Sequence, residues 1–281
     1  MLNQFLNLNL NLKQNFHRLF ILAAISLLCT LLSSQLLYAQ ATFLIWPIYP
    51  KIENDEKATA VWLENTGDRD ALVQIRVFAW QQQDYDDSYQ QQSDIISSPP
   101  VAKIKAGERS MLRITRTKPV QDQTENAYRI IVDELPIKLD QDNAQQNSQL
   151  SFQMRYSIPL FSYGAGLGSG LTEKSSKENS QHAFAKPILS YRLLDDRDGQ
   201  SELLIENNGA KFARITALKF ERDQAATALE GLSLGYILPH SSMKFTIPSK
   251  YLQQIRQAKQ LYAVDTSGAS AVTIDLTPAG K

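Results

Sequence analysis

The chain has 281 residues, with 29 basic side chains, 29 acidic ones and a single cysteine, Cys29. This balance, without any polybasic block, argues against binding to nucleic acid or to a charged membrane surface. Cys29 lies in an N-terminal apolar segment, so the rest of the chain forms no disulfide and depends on its hydrophobic core. About 240 residues follow that segment, enough for one large or two medium domains.

The first forty residues have the layout of a secretory signal peptide. Basic residues between 13 and 18 precede an apolar run that extends to about residue 37, and Ala39-Gln40-Ala41 offers a small-x-small cleavage site. The alternative is an uncleaved anchor, because the run approaches the ~20 residues needed to span a bilayer. Polar residues at 33–35 interrupt the run. We therefore predict that residues 1–40 are removed on export and that the mature protein has no stable membrane insertion.

Residues 41–163 form a series of short segments rich in Val, Ile, Phe, Trp and Tyr, bounded by turn residues. Seven such strands over ~120 residues are typical of an immunoglobulin-like sandwich. The predicted strands are 42–48, 58–63, 72–80, 95–96 together with 101–104, 110–115, 128–132 and 150–161. Two polar insertions, 81–92 and 139–149, are predicted to be flexible because they hold too few apolar residues to drive packing.

The last of these strands alternates regularly between apolar and polar residues. With a period of two, one face carries Leu150, Phe152, Met154, Tyr156 and Ile158. A long strand with an unpaired edge is a template for another chain. Any antiparallel strand with one buried face alternates in the same way, however, so periodicity alone leaves both interpretations open.

A glycine-rich segment, 164–170, follows and indicates a hinge or a close backbone approach at a domain boundary. The second domain is predicted to span 164–281, with a short helix at 251–259. Asn207-Asn-Gly-Ala predicts a tight connection of the hairpin type. The strands predicted there are 188–194, 202–206, 213–220, 234–238, 244–247, 261–264 and 272–276. The predicted fold class is thus all-β, with two immunoglobulin-like sandwich domains in tandem.

No group of residues predicts catalysis. His182 and His240 have no metal-ligand spacing, and Asp84, Asp86 and Asp87 lack the glycine and terminal Glu of a calcium loop. Neither a nucleophile elbow nor a paired-carboxylate pattern is found. We expect a binding protein that is not an enzyme and needs no cofactor or metal.

Two arginines lie within predicted strands, where a lone cation is unusual. Arg129 alternates with Tyr128, Ile130 and Val132, and Arg155 lies on the final strand opposite its apolar row. The planar fork of an Arg binds a free carboxylate through charge-assisted hydrogen bonds. The alternative for both residues is an ordinary solvent-facing sheet surface.

Three segments together resemble the periplasmic pilus chaperones of the chaperone–usher pathway. Residues 99–115 resemble the fourth and fifth strands of these proteins, 128–136 the next strand, and 150–163 the final, subunit-binding strand. The resemblance covers the first domain and weakens to general layout in the second. It implies two immunoglobulin-like domains in a boomerang arrangement. It also implies a periplasmic chaperone that folds, caps and delivers pilus subunits to an outer-membrane usher without ATP.

The same resemblance implies a mechanism and its residues. Such chaperones lend the final strand of their first domain to a pilus subunit whose sandwich lacks one strand. Leu150, Phe152 and Met154 would then be the donor residues, and the strand 42–48 would lie along the same partner.

The chain departs from the better-known branch of this family at the carboxylate anchor. That branch holds the subunit's C-terminal carboxylate with an Arg in the first strand and a Lys in the last. Tyr49 and Pro159 occupy these positions here, and neither is a cation. The chain is more similar to the archaic branch, which builds thin adhesive pili used in biofilm formation. We predict that Arg129 and Arg155 form the anchor, with Arg76 and Arg113 as further candidates.

Two other classes of function share some of these features. A secreted tandem immunoglobulin-like adhesin or ligand-binding module has the same export signal and β pattern. Usher and subunit genes beside this one would favour the chaperone over that alternative. A carbohydrate-active enzyme would need a carboxylate pair in a cleft, which the sequence does not contain in a recognisable form.

The signal peptide gives a direct test. We expect the exported protein to begin close to Ala41, because Ala39-Gln40-Ala41 is the small-x-small cleavage site. Intact-mass measurement of the periplasmic protein checks this, and a mature species that still carries residues 1–39 would contradict it.

Overall fold

The computed structural model describes residues 43–136, 153–168, 186–195, 201–220, 232, 234–258, 260–267 and 271–278. The predicted signal peptide, the insertion 139–149 and the predicted donor residues Leu150 and Phe152 lie outside these residues. The described parts contain seventeen strands and one helix, so the predicted all-β fold is confirmed. No helix within them is long and apolar enough to cross a membrane.

The first half consists of two sheets packed face to face. One sheet has the strand order β1-β3-β8-β6, and the other has the order β2-β10-β9-β4-β5, with β7 also paired to β4. Side chains such as Val61, Leu112 and Ile130 alternate inward and are fully buried between the sheets. The strands are β1 (Phe43–Trp46), β2 (Lys51–Ile52), β3 (Ala58–Asn65), β4 (Ala71–Gln83), β5 (Asp86–Gln91), β6 (Ile95–Ser98), β7 (Val101–Ile104), β8 (Arg109–Arg116), β9 (Glu125–Leu135) and β10 (Arg155–Tyr163).

The segment predicted as one strand in two pieces, 95–96 with 101–104, instead supplies two strands to different sheets. Strand β6 pairs with β8, whereas β7 pairs with β4. Pro99 and Pro100 lie between them, and because proline has no N–H to continue a ladder, the chain crosses there from one sheet to the other.

The prediction that 81–92 is a flexible insertion was wrong. Strand β4 extends to Gln83 and forms a hairpin with β5. Asp84 and Tyr85 form its turn, with φ of 51° and 70°, the left-handed pair that a two-residue type I′ turn requires. Low apolar content misled the prediction, because ladder hydrogen bonds and polar side-chain contacts hold the hairpin. One of these contacts is the bond from Trp80 Nε1 to Asp87 Oδ1, at 2.9 Å.

Strand β10 begins at Arg155, and Met154 just before it is exposed and outside the strand. Ile158 and Leu160 contribute to the first core, as the alternation predicts. Phe161 and Tyr163 are buried too, although they lie on the opposite face. They pack against the second half of the chain, so the end of β10 is covered on both faces.

The second half is a seven-stranded sheet of order β14-β13-β16-β17-β11-β12-β15, which curls so that β14 returns beside β12 and β15. Every strand contributes to one enclosed core, together with Ile255 of helix α1 (Ser249–Gln257). All seven predicted strands are present. They are β11 (Leu189–Asp195), β12 (Ser201–Asn207), β13 (Ala213–Lys219), β14 (Tyr236–Ile237), β15 (Ser241–Ile247), β16 (Leu261–Asp265) and β17 (Val272–Pro278). The two-sandwich fold is thus confirmed.

The prediction of a hairpin at Asn207 was wrong, because β12 and β13 are not neighbours. The buried Asn207 amide instead donates to Lys211 O and Ile237 O, while its oxygen accepts from Gly209 N. These bonds direct the chain across the core to another strand. In the first half, Asn65 makes the corresponding bonds at the end of β3, within the same Glu-Asn-x-Gly sequence.

The two halves meet through buried aromatic side chains. Phe161 and Phe212 stack with their ring centroids 3.6 Å apart and nearly parallel. Trp80, Tyr163, Leu167 and Leu238 complete this junction cluster. Gly164 shows a close backbone approach, since a Cβ there would lie 1.8 Å from the carbonyl oxygen of Gln121. Placing the domain boundary at this glycine-rich segment remains a prediction.

A carboxyl group is buried at the same junction. Glu125 Oε1 accepts a hydrogen bond from the Phe212 N–H at 3.0 Å, but Oε2 has no hydrogen-bond partner. Burial raises the pKa of Glu125 to about 8, although the Phe212 N–H and the charge of Lys211 act in the opposite direction. The neutral acid is therefore the favoured form of Glu125 in the folded protein at neutral pH.

This burial predicts a pH-dependent stability. Because the folded state holds the Glu125 proton more tightly than the unfolded state, the free energy of unfolding should fall as pH rises from about 5 to about 8. Glu125→Gln should flatten that slope, since the amide cannot ionise. Burial also lowers the pKa of Lys51 to about 8. The titration of Lys51 therefore affects the free energy of unfolding only above this pH range, where it makes that free energy rise with pH.

Urea unfolding at a series of pH values measures the slope. Glu108→Gln, at an exposed residue, is the matched control and should retain the wild-type profile. A Glu125→Gln protein whose slope equals that of the control would contradict the prediction.

Candidate functional site

Strand β10 has an edge that is open along most of its length. One side pairs with β9 from Arg155 to Tyr163, whereas β2 covers the other side only at Phe161 and Ser162. Among the described residues, no strand pairs with that side between Arg155 and Leu160. This stretch, residues 155–160, is called the open edge below. Its unpaired backbone groups are available to a further strand.

The open edge has a defined end at Pro159. Phe161 N donates toward β2, to Pro50 O at 3.4 Å, so the odd-numbered residues direct their backbone groups to this side. Arg155 and Ser157 can therefore donate to an added strand, but Pro159 has no N–H. Because β2 occupies the next position, an added strand has no ladder to continue beyond Pro159.

Arg129 lies beside this end, directly opposite Pro159 on β9. Its guanidinium carbon lies 3.7 Å from the centroid of the Trp80 ring and 5.1 Å from that of Tyr236. The Nε atom is buried and has no hydrogen-bond partner. A partly buried guanidinium beside two aromatic rings gains cation–π energy, but its buried Nε–H remains unsatisfied.

The surroundings of Arg129 leave it without a counterion. Arg129 takes part in none of the salt bridges between the described residues. Asp87 acts on Tyr89, as Arg129 does, and its carboxylate is already occupied. Asp87 Oδ1 accepts from Trp80 Nε1 and Gln82 Nε2, and Oδ2 accepts from the Tyr89 hydroxyl at 3.1 Å. Burial and Asp87 raise the pKa of Tyr89, while a hydrogen bond with Arg129 opposes that rise. Trp80, Tyr89 and Tyr236, which surround the guanidinium, are called the Arg129 pocket below.

Arg155 has a different environment. It is largely exposed and pairs with Asp133, which also accepts from Arg76 Nη2 at 2.6 Å. Burial raises the pKa of Asp133, but the hydrogen bonds from Arg155 and Arg76 outweigh it, so this pKa lies below its usual range. Two arginines thus share one carboxylate. The carboxylate of Glu134, which accepts from the Met154 N–H at 3.3 Å, lies at the same end of the open edge and offsets the second arginine.

The structure does not bring the predicted anchor residues together. Arg155 lies opposite Asp133, and Arg129 is four residues away along β9, which corresponds to about 13 Å. Both lie on the same face of their sheet. The further candidate Arg76 joins Arg155 at Asp133, whereas Arg113 is on the outer face of the other sheet, opposite Ala60.

Tyr49 lies in the first half of the chain but contacts the residues of the second half that form one side of the site. Its ring lies 5.6 Å from the Arg214 guanidinium carbon, and its hydroxyl is hydrogen-bonded to Tyr236. Burial and that hydrogen bond raise the pKa of Tyr236 above its usual value. Tyr49 thus supports a wall of the Arg129 pocket.

The predicted strand at 42–48 is β1, a second edge beside β10. It pairs only with β3 among the described strands. The Phe43 N–H donates to the Tyr156 hydroxyl at 3.0 Å, which links the two edges. Leu44 is 55% exposed and so is available for contact with a partner.

Sequence reasoning did not find the aromatic residues around Arg129. Trp80 ends a predicted strand and reads as an ordinary core residue, and Tyr236 comes from the distant second half. Only the fold brings them together, so no local spacing marks them. The aromatic–Gln run from Trp80 to Gln83 is the one available signal, and low apolar content led it to be interpreted as a loop.

Comparisons with known proteins identify relatives of this arrangement. Residues 49–167 match the family model described as pili and flagellar-assembly chaperone, PapD N-terminal domain. The chain is 52% identical to a chain in the crystal structure of the CsuC–CsuE chaperone–tip adhesion subunit pre-assembly complex, from the archaic chaperone–usher Csu pili of Acinetobacter baumannii. That alignment covers 85% of this chain and 100% of the other, with a TM-score of 0.71.

More distant structures share the fold. The E. coli chaperone DraB has a TM-score of 0.53 at 14% identity, with 86% of this chain and 98% of that chain covered. The Salmonella enterica SafA pilin–SafB chaperone complex also gives a TM-score of 0.53 at 14% identity, with coverage of 85% and 98%. A comparison with curated protein sequences gave no match.

Proposed function

This chain is a member of the pilus chaperones of the chaperone–usher pathway, which are assembly factors and not enzymes. We propose that it acts in the periplasm, where it folds and caps pilus subunits by donor-strand complementation and delivers them to an outer-membrane usher without ATP. The observation that carries this proposal is the open edge of β10, bounded by Pro159 and β2. The predicted signal peptide supports the periplasmic location.

Strand donation requires backbone pairing and side chains that fill the partner's groove. The open edge supplies the pairing groups. The alternating residues that lead into it, Leu150, Phe152 and Met154, supply the side chains, and Met154 is 44% exposed in the absence of a partner. Each large apolar side chain that becomes fully buried contributes ~1.5–3 kcal/mol. Three of them together contribute ~4.5–9 kcal/mol, a source of folding free energy that needs no nucleotide.

The same geometry favours Arg129 as the carboxylate anchor. A partner strand that runs parallel to β10 has its carboxyl end at Pro159, because the edge closes there. Arg129, which lies opposite Pro159 and has no counterion in the described structure, then meets the terminal carboxylate. Arg155, already paired with Asp133, contributes positive charge at the other end of the edge.

Handover follows from the same open edge. A strand held by pairing and groove contacts, with no covalent link, can be replaced by a strand from the next subunit that fills the groove better. The usher supplies the place where this exchange occurs. Neither step requires a catalytic group in the chaperone.

The donor residues can be tested directly. Phe152→Ser with Met154→Ser should abolish co-purification of the pilus subunit, because the groove-filling apolar surface is lost. The matched control is Met111→Ser, an exposed methionine on strand β8 of the other sheet, which should leave subunit yield unchanged. An unchanged subunit yield with the double variant would contradict the donor role.

The anchor is tested by single substitutions. Arg129→Ala should weaken subunit binding roughly tenfold to a hundredfold, because a hydrogen bond to a charged group contributes ~1.5–3 kcal/mol to the binding free energy. Arg155→Ala should have a smaller effect, because that side chain is exposed and shares Asp133 with Arg76. Arg76→Ala is the control for general loss of charge on this face.

Affinity measured by titration calorimetry, with thermal melts to verify folding, separates these outcomes. A larger loss with Arg155→Ala than with Arg129→Ala would move the anchor to the Asp133 cluster.

A further inference from the structure

One side chain of the β4–β5 hairpin contacts both walls of the Arg129 pocket. Gln82 Nε2 donates to Asp87 Oδ1 and to the Tyr236 backbone oxygen, both at 3.0 Å. Gln82 Oε1 accepts from Leu238 N at 2.8 Å. The amide therefore uses its two N–H groups and its oxygen at once, and it joins the hairpin to strand β14 of the second half.

These bonds fix the two aromatic rings that hold the Arg129 guanidinium. Asp87, held by Gln82, accepts from the Trp80 indole, so the first ring is oriented from within the hairpin. Tyr236 is held through its own backbone and meets Trp80 edge to face, with ring centroids 5.3 Å apart. The Gln82 amide thus contributes to the separation of the two rings.

The same amide also occupies the Asp87 carboxylate. Asp87 Oδ1 is shared between Trp80 and Gln82, and Oδ2 is taken by Tyr89. If the Gln82 bond is removed, Asp87 loses an orienting donor and gains the freedom to turn toward the Arg129 guanidinium, which forms no salt bridge among the described residues. An internal carboxylate bound to Arg129 would compete with the carboxylate of a partner.

We propose that Gln82 is a positioning residue for carboxylate recognition: it ties the Arg129 pocket to the second half of the chain and keeps Arg129 without an internal counterion. This inference rests on the proposed role of Arg129 as the anchor. It adds that the second sandwich takes part in subunit recognition, through the Tyr236–Leu238 backbone.

The test separates carboxylate recognition from strand pairing. The probes are two synthetic peptides with the C-terminal strand sequence of the co-purified pilus subunit, one with a free terminal carboxylate and one with a terminal amide. For the wild-type protein, the free acid should bind roughly tenfold to a hundredfold more tightly than the amide. Arg129→Ala should bind both peptides equally.

Gln82→Leu keeps the size of the side chain and removes all three hydrogen bonds. We expect it to reduce the preference for the free acid to within about threefold, while its affinity for the amide peptide stays within about twofold of the wild-type value. Gln90→Leu, the same change at an exposed residue of the same hairpin, is the matched control and should keep the full preference. Thermal melts verify that both variants are folded.

Each outcome has a separate meaning. A Gln82→Leu protein with the full preference for the free acid, or with equal losses for both peptides, would overturn the positioning role. A wild-type protein that does not distinguish the peptides would overturn the anchor itself, and the positioning role with it. Equal loss of preference in the Gln90→Leu control would assign the effect to the hairpin as a whole and would also overturn the role of Gln82.

Discussion

The pairing of β10 with β9 on one side only is the constraint on which the rest of the molecule depends. A strand in the interior of a sheet has no free backbone groups, and a fully exposed strand is prone to uncontrolled association. Here β2 covers the end of the edge and leaves the stretch before it free. Pro159, at the limit of that stretch, has no N–H and so shortens the ladder that an added strand can use. The free surface is thus restricted in length and direction.

The junction between the halves has a related role. Phe161 and Phe212 stack closely, and Phe212 also donates its N–H to the buried Glu125. These contacts cover the far end of β10 on the face away from the first core. They also bring Tyr236 close to Trp80 and Arg129. The site is therefore a product of tertiary packing as much as of the strand that carries it.

Much of the architecture could be predicted from the sequence, since alternation and turn residues are local signals. The seven strands of the second half and the short helix lie close to their predicted positions. Polar segments were harder to predict, because residues 81–92 fold through ladder and amide bonds that composition does not reveal. The prediction of a hairpin at Asn207 failed for another reason. Asn-Gly is typical of a hairpin turn, but the buried Asn207 amide has hydrogen-bond partners further along the chain. Arg129 stood out as a cation within a strand, whereas its aromatic neighbours come from separate elements and left no pattern to find.

The origin of the pocket walls has a consequence for the order of events during the proposed export of the chain. The open edge belongs to the N-terminal part of the chain, which is translocated first, and Arg129 and Trp80 come with it. Tyr236 and the backbone that binds Gln82 arrive only with the last part of the polypeptide. A chain that has only partly emerged contains strand β10 but not the complete Arg129 pocket. Under the proposed function, recognition of a carboxylate would thus begin only once translocation is finished, and the chaperone would complete its own folding before it holds another protein.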